Sequence, residues 1–142
     1  MDEVARDISI VIPVYNEVEN IEALYREIVS VDEIFDRIRE IIFVDDGSTD
    51  GSDDVILKLK EYDDRIVLIK FRRNFGQTAA LDAGFKHATG NIIVTLDADL
   101  QNDPADIPAL IKKIEDGYDV VSGWRKDRKD PLISKKIPSH IS

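Results

Sequence analysis

Five short apolar runs, separated by segments with helical spacing, constrain the fold of this chain more than any other feature. Each run has the length and the continuous hydrophobicity of a strand that is buried on both faces. The segments between the runs place apolar residues three and four positions apart, as amphipathic helices do. Alternation of strands and helices favours an α/β fold with right-handed crossovers. The predicted strands are 8–12, 40–44, 66–69, 91–96 and 118–121.

The segments between the strands predict helices and hence the layer arrangement. Helices are expected over 19–30, 51–61, 77–88 and 104–116. A chain of 142 residues is long enough for one domain with a substantial core. We therefore predict a Rossmann-like, mostly parallel sheet with helices on both faces.

A polar cluster follows each predicted strand. Parallel strands place their carboxyl ends at one edge of the sheet, and open α/β sheets bind ligands just outside that edge. The sequence thus predicts a binding site built from several separate loops. The clusters are 16–17, 45–48, 72–76, 97–99 and 122–125.

The strongest candidate site is the pair of acids Asp97 and Asp99 after the fourth strand. Positions i and i+2 of an extended chain point to the same side, so both carboxylates could face one cation, and Gln101 continues that series. Oxygen ligands without Cys or a nearby His favour Mg²⁺ or Mn²⁺ over Zn²⁺. Asp103, just before Pro104, is expected to cap the next helix.

The ends of the first two strands offer groups suited to a nucleoside. Pro13 closes the first strand, after which Tyr15 could stack on a base and Glu17 could accept hydrogen bonds from base or ribose. An ordinary strand-to-helix turn explains the same residues. Asp45 and Asp46 could accept from a ribose hydroxyl or a base, as acids after a second strand do in dinucleotide folds.

Three further groups lie in the loops that follow the second, third and fifth strands. Asp50 or Ser52 is expected to be a helix N-cap. The basic turn at 72–77, which leads into a helix, could either neutralise phosphates or solvate the sheet edge. Arg125 can clamp a phosphate through its planar guanidinium.

Composition limits the partners and the compartment. The net charge of −10 argues against nucleic acid as a partner. The last eighteen residues hold six bases and two acids, which suits either an anionic surface or a solvated tail. No cysteine is present, so disulfides are excluded and a reducing compartment is the simplest expectation. The sequence contains no signal-peptide pattern and no apolar run that approaches the ~20 residues of a membrane span.

The motifs together resemble those of family 2 glycosyltransferases with the GT-A fold. Within that family the chain looks most like polyprenol-phosphate sugar transferases, including dolichol-phosphate mannose synthase. The resemblance covers nearly the whole chain, with the motifs in order. They are ISIVIPVYNE at 8–17, VDDGSTD at 44–50, NFG at 74–76, DADLQNDP at 97–104 and SGWR at 122–125.

The resemblance implies a role for each motif. Asp97, Asp99 and Gln101 would hold the metal, and Asp99 and Arg125 would be the catalytic residues. The residues implied to bind the nucleotide-sugar are Pro13, Tyr15, Glu17, Val44, Asp46, Asp97, Ala98, Asp99 and Arg125.

The resemblance also implies a reaction. A hexose would pass with inversion from a UDP- or GDP-sugar to a polyprenyl phosphate such as dolichyl or undecaprenyl phosphate. A phosphate acceptor with a second pKa near ~6 is largely a dianion at neutral pH and needs no general base. Residues 1–125 would form the nucleotide-sugar-binding core, and 126–142 a basic tail that begins a truncated acceptor or membrane-associating region. The full-length form would lie at the cytoplasmic face of the membrane. The resemblance is compatible with a homo-oligomer.

Three other classes of protein share parts of this pattern. A sugar nucleotidylyltransferase would need a Gly-rich basic loop after the first strand, where this chain has VYNE. A receiver-like signalling domain would need acids after the first strand and a Lys after the fifth. A nucleotide- and metal-binding fragment without turnover fits every motif quoted above.

Overall fold

The fold is built on one six-stranded sheet. The computed structural model describes residues 6–116, together with the backbone of two strands at 120–122 and 132–135. The strand order is β3-β2-β1-β4-β6-β5. Neighbours among β1 to β4 pair in parallel, whereas β6 is antiparallel to β4 and to β5. The strands are β1 Ile8–Val14, β2 Ile38–Asp45, β3 Ile66–Lys70, β4 Ile92–Thr95, β5 Val120–Ser122 and β6 Leu132–Lys135.

Helices cover both faces of this sheet, which confirms the predicted α/β class. Alternate residues of β1 point to opposite faces, so Ile10 and Ile12 join one apolar cluster and Val11 joins the other. The larger cluster contains the buried faces of α1, α3 and α5, and the smaller one contains Ala80 of α4. The helices are α1 Ile21–Val29, α2 Asp32–Phe35, α3 Ser52–Tyr62, α4 Gln77–His87 and α5 Ile107–Glu115, the last preceded by a 3₁₀ turn at Pro104–Asp106. Within the described ranges, no helix has both the length and the apolar character needed to cross a bilayer.

Two elements were not predicted from the sequence. Helix α2 has four residues, too few to show a helical period. Strand β6 lies in the range predicted as a basic tail, and it pairs with β4 on one side and β5 on the other. A strand of four residues with two polar positions shows little local signal, so long-range pairing decides it.

A partly buried polar cluster lies at the amino end of the sheet. The Tyr25 hydroxyl on α1 donates to Asp63 Oδ2 at 2.7 Å, and Arg65 donates to both oxygens of the same carboxylate. The hydrogen bond from Arg65 is the main cause that lowers the pKa of Asp63 to about 2. Burial, followed by the hydrogen bond and charge of Asp63, raises the pKa of Tyr25 to about 12.

The raised pKa of Tyr25 predicts a loss of stability in alkali. The folded state favours the neutral phenol, so this contribution is complete below the ordinary pKa of 10.0 and disappears as the pH rises towards about 12. Urea unfolding at about pH 9 and about pH 11 should show a smaller decline for Tyr25→Phe than for the wild type. Tyr62→Phe is the control because Tyr62 is 84% exposed. An equal decline in wild type and Tyr25→Phe would contradict the prediction.

Candidate active site

A cleft of about 260 Å³ opens at the carboxyl edge of the parallel strands. Loops that follow β1, β2 and β4 contribute to it, together with the first residue of α4. The position agrees with the expectation that ligands bind at this edge of an open sheet. The lining residues are Pro13, Val14, Tyr15, Glu17, Asp46, Gln77, Asp97, Ala98 and Asp99.

Asp97 and Asp99 lie in a turn rather than on an extended strand. Strand β4 ends at Thr95, and Leu100 has a positive φ of 65°. The Asp97 N–H donates to Oδ1 of the buried Asn102 at 2.8 Å, and Asp99 Oδ1 accepts from the Gln101 N–H at 3.3 Å. The extended alternation expected for this segment was therefore wrong, although both acids line the same cleft.

The predictions for Gln101 and Asp103, which follow this acidic pair, have different outcomes. Gln101 is exposed and does not line the cleft, since the turn at Leu100 interrupts the same-side series. Asp103 is the N-cap of the 3₁₀ turn, and its side chain accepts from the Ala105 N–H at 3.0 Å, as predicted.

The loops after β1 and β2 hold each other through reciprocal hydrogen bonds. Asn16, with a φ of 52°, donates its N–H to Ser48 Oγ and accepts from the Thr49 N–H. The Glu17 N–H donates to Ser52 Oγ. These bonds hold the backbone that directly follows the half-exposed Tyr15, which lines the cleft.

The start of α3 differs slightly from the predicted cap. Gly51 occupies the N-cap position, rather than Asp50 or Ser52. The Asp50 carboxylate nevertheless accepts from the Ser52 N–H and hydroxyl, and its other oxygen accepts from the Val18 N–H. Asp50 therefore joins the β1 loop to the helix start.

Asp46 is buried at the cleft wall, with 4% of its surface exposed. Its Oδ1 accepts from the Phe75 N–H at 2.7 Å, and its Oδ2 accepts from the Gly76 N–H at 3.0 Å and from Asn74 Nδ2 at 3.2 Å. A carboxylate that receives several N–H groups is a strong charge-assisted anchor. Asp46 thus attaches the loop before α4 to the end of β2.

The two residues before Asp46, Val44 and Asp45, do not line the cleft. Val44 is fully buried and packs with Val11, Ile42 and Ala80 in the smaller core cluster. Its side chain does not line the cleft, so any contact with a nucleoside would have to come from its backbone. Asp45 is also fully buried, and its Oδ1 accepts from the Ser48 N–H at 2.9 Å.

Gln77 lines the cleft, although it was predicted only as the end of the basic turn 72–77 and not as a ligand-binding residue. The available signal was its position directly after Gly76, at the start of the helix that follows β3. By contrast, Arg72 and Arg73 are exposed and do not line the cleft, and the Arg73 guanidinium lies 4.6 Å from the centre of the Phe75 ring. Arg125 lies outside the described residues.

The acidic end of the cleft suits a hard cation that is shared with a phosphate ligand. Asp97 and Asp99 offer oxygen donors only, which matches the preference of Mg²⁺ and Mn²⁺. Residues 6–116 contain no group of three or more His, Cys, Asp or Glu side chains arranged to hold a metal. Mg²⁺ is commonly bound by one or two protein carboxylates together with substrate phosphates, so two acids fit such a site.

Sequence comparison decides the family. The profile of Glycosyl transferase family 2 matches residues 9–141. The chain belongs to this family. The match spans all the strand-end motifs, including those of the cleft.

The relatives in this family are considerably longer than the chain. It is 45% identical over 138 residues to the undecaprenyl-phosphate 4-deoxy-4-formamido-L-arabinose transferase of Salmonella choleraesuis (strain SC-B67), covering 96% of this chain and 42% of that protein. Proteins of the same name from other Salmonella strains match equally well. The chain therefore spans less than half the length of these relatives, and it is similar to polyprenol-phosphate sugar transferases as expected.

Solved structures confirm the GT-A fold. The mannosyltransferase PcManGT of Pyrobaculum calidifontis, in complex with GDP-Man and Mn²⁺, superposes with a TM-score of 0.73 at 29% identity, covering 84% of this chain and 35% of that one. The glucosyl-3-phosphoglycerate synthase of Mycobacterium tuberculosis, in complex with Mn²⁺, UDP and glucosyl-3-phosphoglycerate, gives a TM-score of 0.62 at 25% identity, with 82% and 43% coverage.

Proposed function

We propose that this chain is the nucleotide-sugar-binding part of a glycosyltransferase that transfers a hexose to a polyprenyl phosphate. The observation that carries the proposal is the single cleft in which Asp97 and Asp99 face a pocket lined by Tyr15, Glu17 and Asp46. Solved relatives in complex with GDP-Man or UDP and Mn²⁺ support a UDP- or GDP-sugar donor. The names of the Salmonella relatives support an undecaprenyl phosphate acceptor.

The acidic turn supplies the electrostatic part of the proposed reaction. Asp97 and Asp99 would hold Mg²⁺ or Mn²⁺, which would neutralise the charge that develops on a departing diphosphate, whereas Gln101 lies outside the cleft. Tyr15 and Glu17 would bind the nucleoside, and Arg125 would contact a phosphate of donor or acceptor. Since a phosphate dianion is already a nucleophile, the protein needs only to orient it for in-line attack with inversion.

The proposed acceptor also sets the expected location. A polyprenyl phosphate resides in a membrane, so we propose that the complete enzyme is peripheral to the cytoplasmic face. The basic residues of 126–142 would favour that anionic surface. Self-association is compatible with this arrangement.

A second candidate function is nucleotide and metal binding without turnover by these residues alone. It is favoured by the 42% coverage of the Salmonella relative, whose remaining length could hold the acceptor site. Transfer of labelled sugar to undecaprenyl phosphate, with that full-length relative as the positive control, separates the two. Product with this chain supports the transferase, and binding without product supports the second candidate.

Thermal unfolding with a nucleotide and a metal tests the binding assignment directly. UDP or GDP should raise the Tm only when Mg²⁺ or Mn²⁺ is present, because the diphosphate needs the cation to approach two carboxylates. Ligand at about 100 times Kd stabilises the folded state by about 2.7 kcal/mol, which is readily measured. Asp99→Asn should abolish the metal dependence, since a neutral amide is a weaker ligand than a carboxylate.

Asp106→Asn is the matched control for Asp99→Asn. Asp106 is also exposed, follows the same loop and makes no capping hydrogen bond to α5. It should keep the full metal-dependent shift. A metal-dependent shift in Asp99→Asn equal to that of the wild type would refute the assignment of the acidic pair.

A further inference from the structure

The cleft has two chemically different ends. Strand β1 lies between β2 and β4, so the end of β2 is two strand spacings, or about 10 Å, from the end of β4. Asp97 and Asp99 lie at the β4 end, and Asp46 and Gln77 lie at the β2 end. If a diphosphate is held at the acidic end, this separation leaves room for a ribose and places the base at the β2 end.

The hydrogen-bonding capacity of Asp46 is largely used within the protein. Its two carboxylate oxygens accept from the N–H groups of Phe75 and Gly76 and from the side-chain amide of Asn74. Gly47 has no side chain, so the backbone of the same loop can lie directly against it. A Cβ at position 47 would lie 2.3 Å from the carbonyl carbon of Arg73. The loop is therefore held from two adjacent positions, and Gln77 follows it directly.

At the β2 end of the cleft, Gln77 of α4 offers a neutral polar side chain to a ligand. It is the first residue of α4, it is exposed, and its amide makes no hydrogen bond to any residue between 6 and 116. An amide carries both donors and an acceptor, as the edge of a nucleobase does. Because the Gln77 side chain is uncharged, it has no electrostatic preference for a phosphate.

We propose that Gln77 hydrogen-bonds the edge of the donor nucleobase and thereby contributes to base selectivity, with Asp46 as the positioning residue that holds it there. This inference rests on the proposed function, because it requires a nucleoside diphosphate in the cleft. Tyr15 would contribute the face contact to the same base, and Gln77 the edge contact.

Binding of bases and of a base-free ligand tests the proposal. Affinities of UDP, CDP, GDP, ADP and inorganic pyrophosphate are measured with Mn²⁺ by calorimetry. Uracil and cytosine have nearly the same shape but opposite donors and acceptors along one edge, and guanine and adenine form a similar purine pair. Gln77→Ala should weaken the preferred nucleotide about tenfold, reduce its preference over the partner base, and leave pyrophosphate unchanged.

Two further variants complete the test. Gln77→Glu keeps the shape of the side chain but removes the amide donors, so it should also reduce the discrimination between bases. Thr78→Ala, at the exposed next position outside the cleft, should leave every affinity unchanged.

The outcomes separate this inference from the proposed function. Unchanged base preference in both Gln77 variants, or equal weakening of pyrophosphate and nucleotide, would overturn the role of Gln77. Failure of the wild type to bind any nucleotide with Mn²⁺ would instead overturn the proposed function on which the role rests.

Discussion

Replacement of Gly47 by Ala is expected to destabilise the fold by at least about 3 kcal/mol. The new Cβ would lie 2.3 Å from the carbonyl carbon of Arg73 and 2.4 Å from the Asn74 nitrogen. These are backbone atoms, so no rotation of a side chain can relieve the overlap. The φ of 79° adds strain, because side-chain-bearing residues rarely adopt that conformation.

Gly51→Ala is the matched control for Gly47→Ala. Gly51 has a similar φ of 90°, but a Cβ there would meet nothing within 4 Å. Its replacement should cost only the conformational strain, about 1 to 2 kcal/mol. Urea unfolding of both variants separates the two contributions. Equal destabilisation would show that the close approach of the loop to Gly47 is not a significant constraint.

Replacement of Asp46 by Ala is expected to cost about 4 kcal/mol of unfolding free energy. The change removes the acceptors for two backbone N–H groups and one side-chain amide, all donated by residues 74–76. Asp46→Asn should be intermediate, because one carboxylate oxygen becomes an amide group that faces other donors. Asp36→Ala is the control, since Asp36 is exposed and ends the short helix α2.

Hydrogen exchange distinguishes loss of these bonds from general destabilisation. In Asp46→Asn the amides of Phe75 and Gly76 should exchange faster than expected from the change in global stability alone. The α1 amides should follow the global stability. Normal protection of Phe75 and Gly76 in this variant would contradict the anchoring role of Asp46.

Asp46 and Gly47 stabilise the same contact, and this contact also positions a residue that lines the cleft. Both hold the loop before α4 against the end of β2, and α4 begins with a lining residue of the cleft. Variants that loosen this contact should therefore weaken ligand binding at the β2 end more than metal binding at the acidic β4 end.

The sequence by itself determined the fold class and the edge at which the candidate site lies. Runs of apolar residues predict buried strands because period and hydrophobicity are local properties. Parallel connection then brings the strand-end motifs to one edge, which is why Tyr15, Glu17, Asp97 and Asp99 were expected together and line one cleft.

Only the tertiary structure decided which group each side chain contacts. Asp46 meets a loop 28 or more positions away, Val44 turns into the core, and β6 pairs between β4 and β5. Likewise, the turn after Thr95 brings Asp97 and Asp99 to the cleft and excludes Gln101. These outcomes depend on backbone direction and long-range packing, which local residue patterns do not encode, because hydrogen-bond partners are chosen by proximity in the folded chain.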